Sequence, residues 1–484
     1  MTDIAYLPAH ELARMIRDRQ IGALELLDHL LARVERHNPT INAVVTFDLE
    51  RARARARDAD AALGRGELWG PFHGLPMTVK EAFDVEGLVT SWGSPLFKDN
   101  VARETQGVAR KLVDAGAIVY GKTNVPVRLT DWQTFNPLFG TTNNPYDPSR
   151  APGGSSGGAA AALASGMTPL EVGSDIGGSI RNPAHFCGVC GHKPSYGALP
   201  QEGHWLPGAH ADPDINVVGP MARTVADLER ALEVMGGANR FDRVAWRLEL
   251  PPPRASRLRD FRVAVMLEDR CCEVDRSIQD RIQAVADRLA RAGAKVDDRA
   301  RPAIDTREGF ALFVQLLRGV TTSVLTEDEH LAFRQEAERF SMDDDSYAAR
   351  GARAAVQSHR EWFAANEARN EMRLRWGEFF RDFDVLLCPV AASPAYPHDQ
   401  ERPRPARRIE VNGHEIDYNH QIFWAGFFGV SYLPGTVIPM GLTDRGLPVG
   451  LQIVGPYLED RTTLALGALL EGELDGFTPP PGFA

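Results

Sequence analysis

The stretch from Ala151 to Gly188, APGGSSGGAAAALASGMTPLEVGSDIGGSIRNPAHFCG, constrains this chain more than any other. It holds two serine–glycine clusters. The first is Gly153–Gly158, which leads into an alanine-rich segment, and the second runs from Gly173 to Arg181. Glycine has no Cβ, so its backbone approaches a ligand closely and enters conformations that other residues resist. The N–H groups of Ile176, Gly177, Gly178 and Ser179 can therefore converge on one oxygen, the geometry of an oxyanion hole in acyl transfer. Two other loops are weaker matches. A phosphate-binding loop ends in Gly-Lys-Ser/Thr, whereas Gly158 is followed by Ala159 and Ala160. The nucleophile elbow Gly-x-Ser-x-Gly fits Gly153–Gly157, but it needs a strand just before the serine, and Asn143–Pro148 is turn-rich. On glycine content alone, a purely structural turn stays open.

The rest of the chain suggests the setting. Leu12, Met15 and Ile16, then Leu24, Leu27, Leu31 and Val34, fall at helical spacing and predict two helices within 7–36. Residues 49–63 alternate Arg and Ala and predict a solvated helix. Beyond Leu75, apolar bursts such as MTVK, AIVYGKTN and VAVMLED alternate with helical patterns. That alternation predicts an α/β fold with a mixed central β-sheet flanked by helices on both sides. Residues 305–380 are polar and helical in pattern, an expected elaboration or cap over the sheet. Pro251–Pro253 and the proline-rich end mark no linker long enough to separate domains, so residues 1–484 are expected to form a single domain carrying a helical insertion at about 300–380.

Composition narrows the partners. The net charge is −11, with no basic surplus to neutralise phosphates, so nucleic acid is not an expected partner. No apolar run of about 18 residues is present, so no membrane span is expected. The start lacks the apolar stretch of a signal peptide, and five cysteines suit a reducing compartment, so the expected location is cytoplasmic. Oligomeric state is not legible, and a homo-oligomer stays open. Cys187 and Cys190 have metal-pair spacing without a second pair, so both are read as structural. His185 and His192 beside them are read as packing or hydrogen-bonding residues. The triplet Asp343–Asp345 lacks the spacing of a calcium loop and is read as a solvated turn. No metal site is expected.

Residues 151–195 closely resemble the amidase signature family: GGSSGG, an alanine helix, GSDIGGSIRNPAHFCG and GHKPS. GLPMTVKEAFDVEG (74–87), GKTNVP (121–126), GTTNNPYDP (140–148), GPMARTVADLERALEVMGG (219–237) and GLTDRGLPVGLQIVG (441–455) match in order. The resemblance implies the amidase signature fold and three catalytic residues. Lys80 is the base, Ser155 is a relay that follows a cis peptide, and Ser179 is the nucleophile. The arrangement is chemically coherent. A serine hydroxyl needs a base, and a lysine serves as one only when burial keeps it neutral. Ser179 forms an acyl-enzyme, Ser155 returns a proton to the leaving nitrogen, and water completes the cycle. No metal or organic cofactor is required.

Asp175 and Arg181 are expected to brace the glycine loop, with a role for Arg181 in holding a substrate carboxylate left open. Thr130, Asp131, Trp132 and Gln133 lie near the acyl pocket in the resemblance. The aromatic cluster Phe423, Trp424, Phe427 and Phe428 is usually core, but with Trp132 and Trp205 it could wall an apolar site. His204 and His210 belong to an ordinary loop or to the substrate entrance. The expected activity is hydrolysis of a small apolar or aryl amide, with carbamates (urethanes) as an extension. The alternatives are a glutamine amidotransferase subunit feeding ammonia to a partner, and a non-catalytic binding protein on the same scaffold.

Overall fold

The computed structural model describes residues 3–323, 325–474 and 476–483. Its centre is a mixed sheet of eight strands in the order Lys295–Asp297, Arg262–Val265, Val385–Pro389, Pro448–Val454, Gly435–Leu442, Cys190–Lys193, Val217–Ala222 and Leu170–Asp175. The first three strands run parallel, and the pairings that follow are antiparallel. Strands such as PVGLQIV are buried along their full length, as sheets covered on both faces demand. Helix Arg181–Cys187 lies on one face, where the His185 ring meets Gly450. Helix Asp460–Glu471 lies on the other, where Gly467 meets Ile438. The architecture is the expected α/β fold.

A second sheet of three strands, Val44–Phe47, Ile118–Thr123 and Pro76–Lys80, lies beside the Leu170–Asp175 edge. Thr78 Oγ1 donates to Glu171 Oε1 across that junction at 2.6 Å. The junction thus brings the end of Pro76–Lys80 to the two serine–glycine clusters.

The early helices span Ala9–Arg17 and Ala23–Ile41. The Arg/Ala stretch is the helix Leu49–Gly64, but it is not simply solvated. Ala52, Ala56, Ala59 and Ala62 recur at helical spacing and are buried. Arg55 lies 4.7 Å over the Trp69 ring and donates to the Val113 and Ala117 carbonyls. The alanines form a packing stripe that the alternation with arginine conceals.

The 305–380 region is helical: Thr306–Thr321, Glu327–Arg339, Tyr347–Ala355 and His359–Asp382. Thr326 with Glu329, and Ser358 with Glu361, form capping boxes that fix two of the starts. The Asp343–Asp345 triplet lies in the turn before Tyr347–Ala355, where Asp344 Oδ1 accepts from Ser346 N at 2.9 Å. Helix Thr306–Thr321 packs on Phe423–Gly429, where a Cβ on Gly426 would collide with the Phe313 ring. Among the described residues no helix is long and apolar enough to cross a membrane.

Candidate active site

Lys80 ends its strand fully buried. Its Nζ lies 2.7 Å from Ser155 Oγ, 2.9 Å from Ser156 Oγ and 2.9 Å from Ser174 Oγ. Three hydroxyls surround the amine, and no carboxylate forms a salt bridge with it among the described residues. Burial pushes the amine down to about 7, against the opposing pull of Asp175 and Glu171. Burial likewise lifts the Glu171 carboxyl to about 8, although Thr78, Thr123 and the Val172 N–H favour its ionised form. At neutral pH a large share of Lys80 is the free amine, able to take a proton.

Ser155 follows Gly154 through a cis peptide bond and precedes helix Gly157–Ala164. A Cβ on Gly154 would collide with the Asp131 carbonyl, so only glycine lets segment 131–132 approach here. Ser179 sits in the turn between strand Leu170–Asp175 and helix Arg181–Cys187, 5% exposed. The Ser156 N–H donates to the Ser179 carbonyl at 3.1 Å and ties the two clusters together. The Ser179 hydroxyl makes no hydrogen bond among the described residues, so the direct hydroxyl link is between Lys80 and Ser155.

Asp175 organises the glycine turn that carries Ser179. Its Oδ1 accepts from Gly178 N at 2.8 Å and its Oδ2 from Ile180 N at 3.1 Å. Arg181 grips both oxygens, at 2.8 and 3.0 Å. Burial works against the ionised carboxylate, but Arg181 holds it at about 2. The rest of the Arg181 guanidinium goes to the Ala425 carbonyl and Gln452, so this arginine is a brace. The Gly178 N–H, one of the four oxyanion donors expected from the sequence, is thereby committed to Asp175. The N–H groups of Ile176, Gly177 and Ser179 have no partner among the described residues. Gly178 itself holds φ +98°, open to glycine at little cost.

The remaining residues separate into walls, braces and bystanders. Trp132 Nε1 donates to the Gly177 carbonyl at 3.0 Å and lies against the glycine turn. Asp131 is a brace held by Arg407 at 2.5 Å and Tyr418 at 2.7 Å. Thr130 is exposed, with its hydroxyl turned to the Val127 carbonyl. Trp205 binds Asp212 at 2.9 Å on a surface loop, with the exposed His210 edge-on to its ring. Phe423, Trp424, Phe427 and Phe428 are buried in an aromatic core with Phe310 and Trp376, as clusters of this kind usually are, and none of them is among the nearest neighbours of Gly177 or Gly178. The neighbours of the glycine turn are instead Ile422, Ala425 and Phe313, all within 3.6 Å of where Cβ atoms on Gly177 or Gly178 would stand. Sequence reasoning missed these three, and it gave no role to Ser156 or Ser174, although both stand inside the serine–glycine clusters. Cys187 and Cys190 are buried and diverge, Cys187 toward the Pro152 carbonyl and Cys190 toward Glu471. His185 bonds Ser393 and Gly450, and His192 bonds Asp460 and Thr436.

A buried lysine facing serines beside a glycine turn, on this α/β sheet, defines a class of amide-bond hydrolases. A family model described as Amidase matches residues 25–464, and the chain belongs to the amidase family, the amidase signature enzymes. It is 34% identical over 474 residues to an indoleacetamide hydrolase of Bradyrhizobium diazoefficiens, covering 95% of this chain and 85% of the relative. It is 30% identical over 490 residues to a glutamyl-tRNA(Gln) amidotransferase subunit of Synechococcus sp., covering 96% of each. The crystal structure of a bacterial aryl acylamidase of the amidase signature family superposes with a TM-score of 0.78 at 27% identity, covering 96% of both chains.

Proposed function

We propose that the protein hydrolyses small apolar or aryl amides, and carbamates by extension, through an acyl-enzyme on Ser179. The observation that carries this reading is the 2.7 Å contact between a buried, deprotonatable Lys80 and Ser155. Lys80 accepts the Ser155 proton while Ser155 accepts that of Ser179, which attacks the carbonyl. The oxyanion rests on the N–H groups of Ile176, Gly177 and Ser179, with the Gly178 N–H stiffening the turn through Asp175. Ser155 then protonates the leaving nitrogen, and water reverses the sequence. Trp132, Phe313, Ile422 and Ala425 give the acyl side an apolar wall. In this reading residues 1–484 act as one amidase domain, with helices 306–382 as an insertion that supplies Phe313 to the site. The enzyme works in the cytoplasm on a small-molecule substrate.

A fluorophosphonate probe followed by peptide mass spectrometry tests the nucleophile. Label on Ser179, and turnover of anilides or carbamates lost in Ser179→Ala by about 10⁴-fold with thermal stability kept, is the expected result. Label elsewhere with activity intact in Ser179→Ala would sink it. The amidotransferase relative favours a second reading, a glutaminase that works within a complex. Turnover of glutamine alone, rising when a partner protein is added, would select that one.

A further inference from the structure

Ser155 is flanked by two residues that are each tied to the turn of Ser179. On one side, the Ser156 N–H donates to the Ser179 carbonyl at 3.1 Å. On the other, the Gly154 N–H donates to Asn182 Oδ1 at 3.3 Å. Asn182 stands just beyond Ser179, in helix Arg181–Cys187, and its own N–H donates to the Gly178 carbonyl at 2.7 Å. Its Cβ lies 3.8 Å from where a Cβ on Gly178 would stand, and its Oδ1 lies 2.7 Å from where one on Gly153 would stand. This one side chain therefore spans the two serine–glycine clusters, against the residue before Ser155 and the residue before Ser179.

Asn182 is 2% exposed, and its Nδ2 has no hydrogen-bond partner among the described residues. The buried Asn136 and Asn144 behave differently, each using both ends of its amide. Leaving a buried amide group unpaired is costly, and a leucine would fill a similar volume without that cost. What the site uses of Asn182 is its oxygen. The Ser179 hydroxyl bonds nothing among the described residues, so the spacing of the two serine hydroxyls depends on ties of this kind between their backbones. A displacement of about 1 Å in such a relay costs on the order of 100-fold in rate.

We propose that Asn182 is a positioning residue that holds Ser155 to the Ser179 turn so that the two hydroxyls meet. The proposal rests on the Ser179–Ser155–Lys80 reading. There Ser155 acts twice, taking the Ser179 proton and then protonating the leaving nitrogen. An anilide needs both steps, whereas 4-nitrophenolate departs as the anion and needs only the first. The test uses two probes with the same acyl group, 4-nitroacetanilide and 4-nitrophenyl acetate, on the full-length protein. Asn182→Leu removes the oxygen and should lower kcat/KM about 100-fold for the anilide and about tenfold for the ester. Tm should move by no more than about 3 °C, because the Gly154 N–H left unpaired is offset by the unpaired Nδ2 removed. Asn182→Asp keeps an accepting oxygen in the same place and should hold the anilide-to-ester ratio within about threefold of wild type. Should Asn182→Leu not fold, Asn182→Ala removes the same oxygen and carries the same expectation. Anilide turnover within about threefold of wild type once the oxygen is gone overturns the proposal. So does an equal loss on both probes, or a ratio in Asn182→Asp that falls as far as in Asn182→Leu. Failure of the underlying reading looks different: the wild-type protein itself would then turn over neither probe and take no label on Ser179.

Discussion

Lys80 and Lys122 stand on neighbouring parallel strands, are both fully buried, and carry lowered amine pKa values. Their surroundings differ. In the register Val79 pairs with Lys122 and Lys80 with Thr123, so the two side chains leave opposite faces of the small sheet. Lys80 meets three serine hydroxyls. Lys122 meets the Val89 carbonyl at 2.5 Å and Thr90 Oγ1 at 3.0 Å. Burial lowers Lys122 to about 8, with Glu81 and Asp84 pulling the other way. The Glu81 carboxylate is itself fixed by the N–H groups of Ser91 and Trp92 and by the Ser91 hydroxyl. The Thr90 hydroxyl beside Lys122 is directed to the Phe83 carbonyl at 3.3 Å, whereas the Ser155 hydroxyl beside Lys80 has no other hydrogen-bond partner among the described residues. Burial alone therefore does not suit a lysine to act as a general base; a neighbouring hydroxyl free to pass on a proton is needed as well.

The largest effect expected is on the Lys80 face. Lys80→Met should lower kcat/KM by about 10³-fold or more while leaving Tm unchanged or higher, because it removes an amine that burial already disfavours. A Tm that collapses together with activity would put Lys80 in the same structural class as Lys122.

The pH profile of the wild type should follow the same amine. Its folded pKa is depressed from 10.5 to about 7, so the neutral, proton-accepting form grows as pH rises through that value. kcat/KM should fall about tenfold per pH unit below it. A profile flat from pH 5 to 8 would break the assignment.

On the opposite face, Lys122→Met should cost stability rather than chemistry. It removes the amine that bonds the Val89 carbonyl and the Thr90 hydroxyl, a loss of about 2 kcal/mol by denaturant titration. The folded fraction should keep kcat/KM within about tenfold of wild type. A larger activity loss at full stability would mean that the two faces are coupled.

The smallest effect belongs to Glu171, which lies beneath the Lys80 strand and titrates near it. Removing its negative form takes away one attraction that keeps Lys80 protonated. Glu171→Gln should therefore move the acid limb of the profile to lower pH by less than about one unit. A shift to higher pH would show that the carboxyl does not act on Lys80 through charge.

Much of this was legible in advance because the serine–glycine clusters are local. The turn at 175–181 is built by glycines and by an aspartate bonding amides three to six residues away, so sequence proximity and spatial proximity coincide. The reading failed where one residue's role depends on which way it faces. Phe423–Gly429 is apolar all round, so its pattern gives no face. The fold turned Phe423 and Phe427 into the core and left Ala425, with Ile422 just ahead of it, at the glycine turn. Trp205 looked equally suited to a pocket wall and is only half-buried, bonded to Asp212, whereas its neighbour His204 is the fully buried member.

The α/β class, the two serine–glycine loops and the resemblance that singled out Lys80 from the other lysines were all readable along the chain. Those properties follow from short-range backbone freedom and from the alternation of strand and helix patterns. Packing in three dimensions settled which of the buried lysines faces the serine hydroxyls, that Gly178 gives its N–H to Asp175, and that Phe313, more than 130 residues beyond Gly177, stands beside that glycine. The lysine environments and the Phe313 contact join segments distant in the chain, and the Gly178 bond depends on how the turn is held between them. Such contacts form only when the sheets and helices come together.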